Sequence, residues 1–222
     1  WSSDVCSSDL QPLLVTGRRV IGATIPLRGS RGWDWYYKAK EMQKIKPKPS
    51  PIWENKEKKP RTRVYFDLAT ETKESKRVVI ELLDDIVPTT AMNFKNLIIG
   101  TNGLHYKDCT FFDIRKDQFV CSGAVKGEKR LGGYSSFAKQ YFDDENFIAH
   151  HDIPGVVTML NAGVHKNNSL FAITLKPMPH LDGRNVVVGH VVQGLEEITN
   201  LSHVYCYKGV PLDPVRIKSC GV

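Results

Sequence analysis

From residue 63 onward the chain alternates between short apolar stretches and turn residues. "RVYFDLAT" (63–70) places apolar side chains at every second position, the period of a half-buried strand. "KRVVIELL" (76–83) repeats the pattern, and "ETKES" between them predicts a hairpin loop. "VPTTAMNFKNLIIG" (87–100) changes period. Ala91, Phe94, Leu97 and Ile98 fall on one helical face, Thr89 or Thr90 is placed to cap the start, and Gly100 ends it. Short strand candidates follow at 109–114, 119–122, 155–160, 170–175 and 186–192. "GLEEITNLSHV" (194–204) predicts a second helix, and "PVRIKSCGV" (214–222) a closing strand. Many short strands with only two helices predict a mainly β fold, an antiparallel barrel whose ends the helices cover.

Residues 11–61 lack this rhythm. "LLVTGRRVIGATIPL" predicts a short strand or hairpin, and "DWYYKAKEMQKI" (34–45) a short helix stopped by "KPKPSP". Lys46 to Pro51 reads as an extended polyproline-type linker, followed by the solvated charge run "ENKEKKPRTR". Trp33, Trp35, Tyr36, Tyr37 and Trp53 are too many aromatics for a purely disordered linker. They are suited to docking back on the domain or anchoring a partner. Residues 1–10, WSSDVCSSDL, fit neither a signal nor a transit peptide. They read as the in-frame translation of a sequencing-library adapter (TGG AGT TCA GAC GTG TGC TCT TCC GAT CT). On that reading the natural N-terminus lies elsewhere and Cys6 is foreign. The expected organisation is thus residues 1–10 as artefact, 11–61 as arm and linker, and 62–222 as the folded domain.

Charge sharpens this division. The chain of 222 residues has a formal net charge of +7, yet residues 11–61 hold 13 Lys/Arg against 4 Asp/Glu, while residues 62–222 hold 18 of each. A neutral body carries a basic arm. Such an arm suits an acidic assembly or filament, with nucleic acid as a weaker alternative; a solvated tail is the plain reading. No apolar run is long enough for a membrane helix, so no membrane partner is expected. The five cysteines show no CxxC or zinc-ligand spacing. That favours a reducing setting: the cytoplasm, with nuclear or cytoskeletal association as alternatives.

Several blocks resemble the cyclophilin family: "VPTTAMNFKNL", "LHYKDCTFF", "YFDDENF" (141–147), "GVVTMLNAGVHKNNSLFAITL" (155–175) and "HLDGRNVVVGHVVQGLEEI" (180–198). They run in family order and cover about residues 63–222. The resemblance implies an eight-stranded antiparallel β-barrel capped by two helices, with ligands held on an outer groove. It also implies a peptidyl-prolyl cis–trans isomerase that acts without metal or cofactor. In the family an Arg hydrogen-bonds the prolyl nitrogen as amide resonance breaks, lowering a rotation barrier of roughly 18–20 kcal/mol.

The resemblance fails where catalysis needs it. The family's active-site strand reads approximately F-H-R-[IV]-I-x-x-F-M-x-Q-G-G-D; this chain has FFDIRKDQFVCSGAV (111–125). Matched from the left, Asp113 takes the Arg position; matched from the right, Ile114 does, with one extra residue (Gln118 is the candidate) between the anchors. Strand alternation favours the first register: Ile114 inside the barrel, Asp113 and Arg115 outside. Arg115 is then the only catalytic candidate, and pairing with Asp113 is its favoured fate. Phe119 and Leu181 match apolar pocket residues, and Asn161 and Ala162 match a substrate-binding "NA". Val120 replaces Met and Ala172 replaces Phe. Ser122 and Leu170 replace Gln, His180 replaces Trp, and Asn185 replaces His. Arg130 stands beside a retained Leu131-Gly132-Gly133. His150-His151-Asp152 reads as a polar surface turn. Ser122, His180 and Asp182 have the residue types of a hydrolase triad but no nucleophile elbow.

The expectation is a cyclophilin-like domain that binds extended, proline-containing protein segments. Its isomerase activity is expected to be weak or lost, leaving a binding or structural module. The alternative is an active isomerase that assists protein folding.

Overall fold

The computed structural model describes residues 49–54, 60–70, 76–127 and 131–222. The expected adapter segment, arm strand and arm helix, the 71–75 hairpin loop and Arg130 lie outside the described residues.

Among the described residues ten strands and two helices form, in order, β1 (Arg63–Ala69), β2 (Lys76–Leu82), α1 (Pro88–Ile99), β3 (Asp113–Arg115), β4 (Phe119–Ser122), β5 (Val156–Asn161), β6 (Asn167–Thr174), β7 (Val187–Gln193), α2 (Leu195–Ser202), β8 (Cys206–Tyr207), β9 (Val210–Pro211) and β10 (Arg216–Gly221). Eight of the strands make one antiparallel sheet in the order β10-β1-β2-β7-β5-β6-β4-β3. The two ends of the sheet meet. Phe111 N–H donates to Val215 O (3.0 Å), Ile217 N–H to Cys109 O (3.0 Å), and Thr110 bridges Arg216. The segment expected as a strand at 109–114 thus splits: its first half closes the ring and its second half is β3. β8 and β9 form a separate hairpin that the hydrophobic pattern does not predict, because two-residue strands carry no readable period.

Alternation fills the interior. Phe66, Phe94, Tyr106 and Phe171 lie in one aromatic cluster with ring centroids 5.0–6.0 Å apart, and all four are fully buried. Offset and edge-on packing of this kind suits the ring quadrupoles. The buried Tyr106 hydroxyl donates to Ser169 O at 2.8 Å, so no polar group is stranded there. Helix α1 covers one barrel opening with the predicted face: Ala91, Phe94, Leu97 and Ile98 are buried.

The ends of α1 are handled differently. Gly100 adopts the left-handed conformation (φ 90°) and its N–H reaches Asn96 O, as the sequence predicts. The start is not capped by Thr89 or Thr90. Instead Glu145, 56 residues away in sequence, accepts the backbone N–H of Thr89 (3.0 Å), the N–H of Thr90 (2.8 Å) and the Thr90 hydroxyl (2.8 Å). A carboxylate at a helix N-terminus satisfies free donors and opposes the helix dipole.

Residues 49–54, which fall within the expected arm and linker (11–61), pack on the barrel. Ile52 and Trp53 sit against buried Leu83, Val87, Ala149, Val156, Val186 and Val187. Arg61 fixes the return, with a bidentate bond to Asp85 (2.9 and 3.0 Å) and a third to Ile52 O (3.0 Å).

Replacing Glu145 with Ala is expected to cost about 1 kcal/mol through the lost helix cap. Urea denaturation checks this, and an unchanged midpoint would show that water caps α1 equally well.

Candidate peptide groove and the Arg115–Asp113 pair

The candidate site is an outer groove of about 400 Å³ across β4, β5 and β6. Along β6, Leu170, Ala172 and Thr174 face the groove while Phe171 and Ile173 face the core. Phe119 and Cys121 of β4 form the adjacent wall, with Leu160, Asn161 and Ala162 at the end of β5. A short 3-10 turn, Pro179–Leu181, supplies His180 and Leu181 at the rim, and Met178 lies just before it. Of the sequence-predicted residues, the structure gathers Phe119, Asn161, Ala162, Ala172, His180 and Leu181 around one cavity.

Three predicted residues lie elsewhere. Val120 is fully buried in the barrel core, opposite Ile114 and Ile173. Ser122 is buried too, and its hydroxyl donates to Thr110 O at 3.0 Å. Cys121 takes the groove-facing place between them, opposite Ala172. Phe119 faces the groove, so strand alternation puts Cys121 beside it and turns Val120 and Ser122 to the other face; the match by family position places adjacent residues of one strand on the same side. Asn185 is absent from the cavity wall; its side-chain amide donates to Met159 O (2.8 Å) and ties the rim loop to β5. Asn161 makes a matching tie, from its amide to Arg184 O at 2.6 Å. The Ala162 N–H donates to Lys166 O at 3.2 Å and so closes a turn.

The register of β3 follows the alternation argument. Ile114 is in the core. Asp113 and Arg115 leave it, and Arg115 Nε donates to Asp113 Oδ1 at 2.9 Å. Neither residue lines the groove. The Asp113 carboxylate is covered by the β8–β9 hairpin, whose Gly209 carbonyl accepts the Ile114 N–H at 2.7 Å. Gly209 has φ 86°, and any Cβ there would collide with the Asp113 carboxylate. The hairpin thus closes over the ion pair and shields the free edge of β3.

The walls of the groove carry no Lys, Arg, Asp or Glu among the described residues; His180 is their one titratable imidazole. Leu170, Ala172, Leu160, Met178 and Leu181 make it predominantly apolar, with Gln140, Tyr141 and Asn168 as polar points. A larger cleft of about 700 Å³ lies between β1, β2 and α2, and none of the predicted site residues borders it.

Residues 65–222 match the family described as "Cyclophilin type peptidyl-prolyl cis-trans isomerase/CLD". The chain belongs to the cyclophilin-type isomerase family. Its mainly β barrel, with two helices among the described residues, is the fold expected from the resemblance.

Sequence reading missed the histidine beneath the rim. His151 is no surface residue; it is fully buried. Its N–H and Nδ1 both meet Asp182 Oδ1 (2.8 and 2.7 Å), and its carbonyl accepts Met178 N–H at 2.7 Å. Asp182 is therefore occupied by His151 and Ser122 by Thr110, so the triad residue types are not assembled. Among the described residues no helix is long and apolar enough to cross a membrane. The described cysteines, Cys109, Cys121, Cys206 and Cys220, are free thiols.

Burial lowers the pKa of His151 below its ordinary value of 6.5, overriding the opposing pull of Asp182. Burial does the same to His190 on β7, against the pull of nearby Glu81. Below about pH 6.5 the unfolded chain therefore binds more protons at these two sites than the folded one, and stability falls as pH drops through that region. Asp182, held below its usual range by His151 despite its own partial burial, adds to the loss only at lower pH. Denaturation midpoints at pH 7.5 and 5.0 are expected to differ in that direction, and His151→Gln to reduce the difference. A flat profile would mean that both imidazoles are solvated.

Proposed function

We propose that this domain binds extended, proline-containing protein segments in the β4–β6 groove and turns them over weakly or not at all. Isomerisation of an X–Pro bond is slow because rotation breaks amide resonance. Acceleration requires a donor that meets the prolyl nitrogen in the twisted state, where its lone pair localises, and does so more strongly than in the planar state. An apolar groove alone holds both isomers and lowers no barrier. The observation that carries the reading is the Arg115–Asp113 bond. The family's arginine position holds a carboxylate, and the neighbouring arginine spends its Nε–H on that carboxylate, outside the groove.

On this reading the apolar walls take a proline ring and its apolar neighbours, while Gln140, Tyr141 and Asn168 orient the peptide backbone. His180, in place of the family's Trp, removes a broad apolar surface from the rim. Weak binding of cyclosporin-like cyclic peptides follows. The basic arm, residues 11–61, tethers the domain to an acidic assembly or filament. That part rests on the net charge of the arm and is a separate interaction from the groove.

A protease-coupled isomerase assay on Xaa-Pro peptides tests the catalytic half. The missing pre-organised donor is expected to leave turnover at least about 100-fold below an arginine-bearing family member run alongside. Arg115→Ala is expected to leave that residual rate unchanged. Turnover comparable to the reference, abolished by Arg115→Ala, would instead establish an active isomerase in which Arg115 swings into the groove.

A further inference from the structure

We propose that Trp53 and Asp152 are positioning residues for the groove: the Ser50–Trp53 segment braces the rim loop that carries Met178, His180 and Leu181. The inference rests on the groove being the peptide site.

The bracing is a continuous set of short contacts. Asp152 receives two donors from the segment, Trp53 Nε1–H at 2.6 Å and Ser50 N–H at 2.5 Å. Hydrogen bonds to a carboxylate are among the stronger ones in a protein. Asp152 directly follows His151, which grips the rim at both backbone groups and at its ring. The carbonyl takes the Met178 N–H, and the N–H and Nδ1 take Asp182. Between those two anchors the rim turn closes on itself through Leu181 N–H to Met178 O (3.0 Å) and Asp182 N–H to Pro179 O (3.2 Å). The groove-lining side chains of the turn are thus held from beneath by one dipeptide, and that dipeptide is held from outside by the segment.

The same segment reaches the other end of the rim loop. Ile52 and Trp53 pack on the cluster containing Val186 and Val187, directly after Asn185. The Trp53 ring also meets His190 of β7 edge-on, with centroids 5.1 Å apart. Residues 178–187 are therefore pinned near both ends by contacts that lead back to Trp53. A mere anchor for the arm would need only one of these.

The test separates the indole N–H from the indole bulk. Trp53→Phe keeps an aromatic ring against His190 and removes the bond to Asp152. Asp152→Asn weakens the same bond from the other side. Amide hydrogen exchange on the full chain reads the rim at Met178, Leu181 and His151, with Ile173 in β6 as the core reference. Both variants are expected to speed exchange at the three rim amides about 10-fold while leaving Ile173 unchanged. Binding of acetyl-Ala-Leu-Pro-Phe-amide, measured by calorimetry, is expected to weaken about 3- to 10-fold. Unchanged rim exchange would overturn the proposal, and so would an equal rise at Ile173, which reports general destabilisation. Faster rim exchange with unaltered peptide affinity would overturn the link from brace to groove. If the wild-type chain binds no peptide, the groove reading fails, while the exchange data still decide whether the brace exists.

Discussion

A closed antiparallel barrel offers each strand residue one of two faces, and one step along the chain exchanges them. Every feature of the groove depends on that constraint. Phe171 and Ile173 fill the core, so Leu170 and Ala172 must face outward. Ile114 and Val120 pair inside, so Asp113 and Cys121 pair outside. A charge cannot be turned inward without stranding it in an apolar interior. Asp113 therefore stays outside the core, and Arg115, two residues on, leaves the core with it and pairs with it.

That pairing has structural consequences beyond charge. The ion pair sits under the β8–β9 hairpin, at a glycine whose missing Cβ leaves room for the carboxylate. The hairpin also satisfies the Ile114 N–H on the otherwise open side of β3. The carboxylate, Arg115 and the hairpin form one fitted arrangement. The groove next to it is left apolar and free of cations among the described residues. On the proposed reading such a surface selects by shape and hydrophobicity and offers no charged donor to a twisted prolyl bond.

Much of this was legible in the residues. The opening hairpin, the apolar face of α1, the Gly100 stop and the inward Ile114 follow from period and turn chemistry. The features that were not legible depend on contacts distant in sequence or on parity. Glu145 caps α1 from 56 residues away, and no local pattern marks it. His151 looks like part of a polar turn because its burial comes from Asp182 and the Met178 backbone, 27 or more residues on. Position in a motif points Val120 and Ser122 to the groove, but with Phe119 facing the groove the alternation of β4 turns both of them away from it. Trp53 was recognisable as an aromatic in need of a partner, but its partner Asp152 lies 99 residues away.

The central claim is the proposal that the groove holds proline peptides with little or no acceleration of their isomerisation. Two-dimensional exchange NMR on an Ala-Leu-Pro-Phe peptide with catalytic amounts of the isotope-labelled chain reads both halves in one sample. The account predicts saturable shifts at the Ala162, Ala172 and Leu181 amides together with no detectable cis–trans exchange peaks for the peptide. Strong exchange peaks at the same occupancy would contradict it.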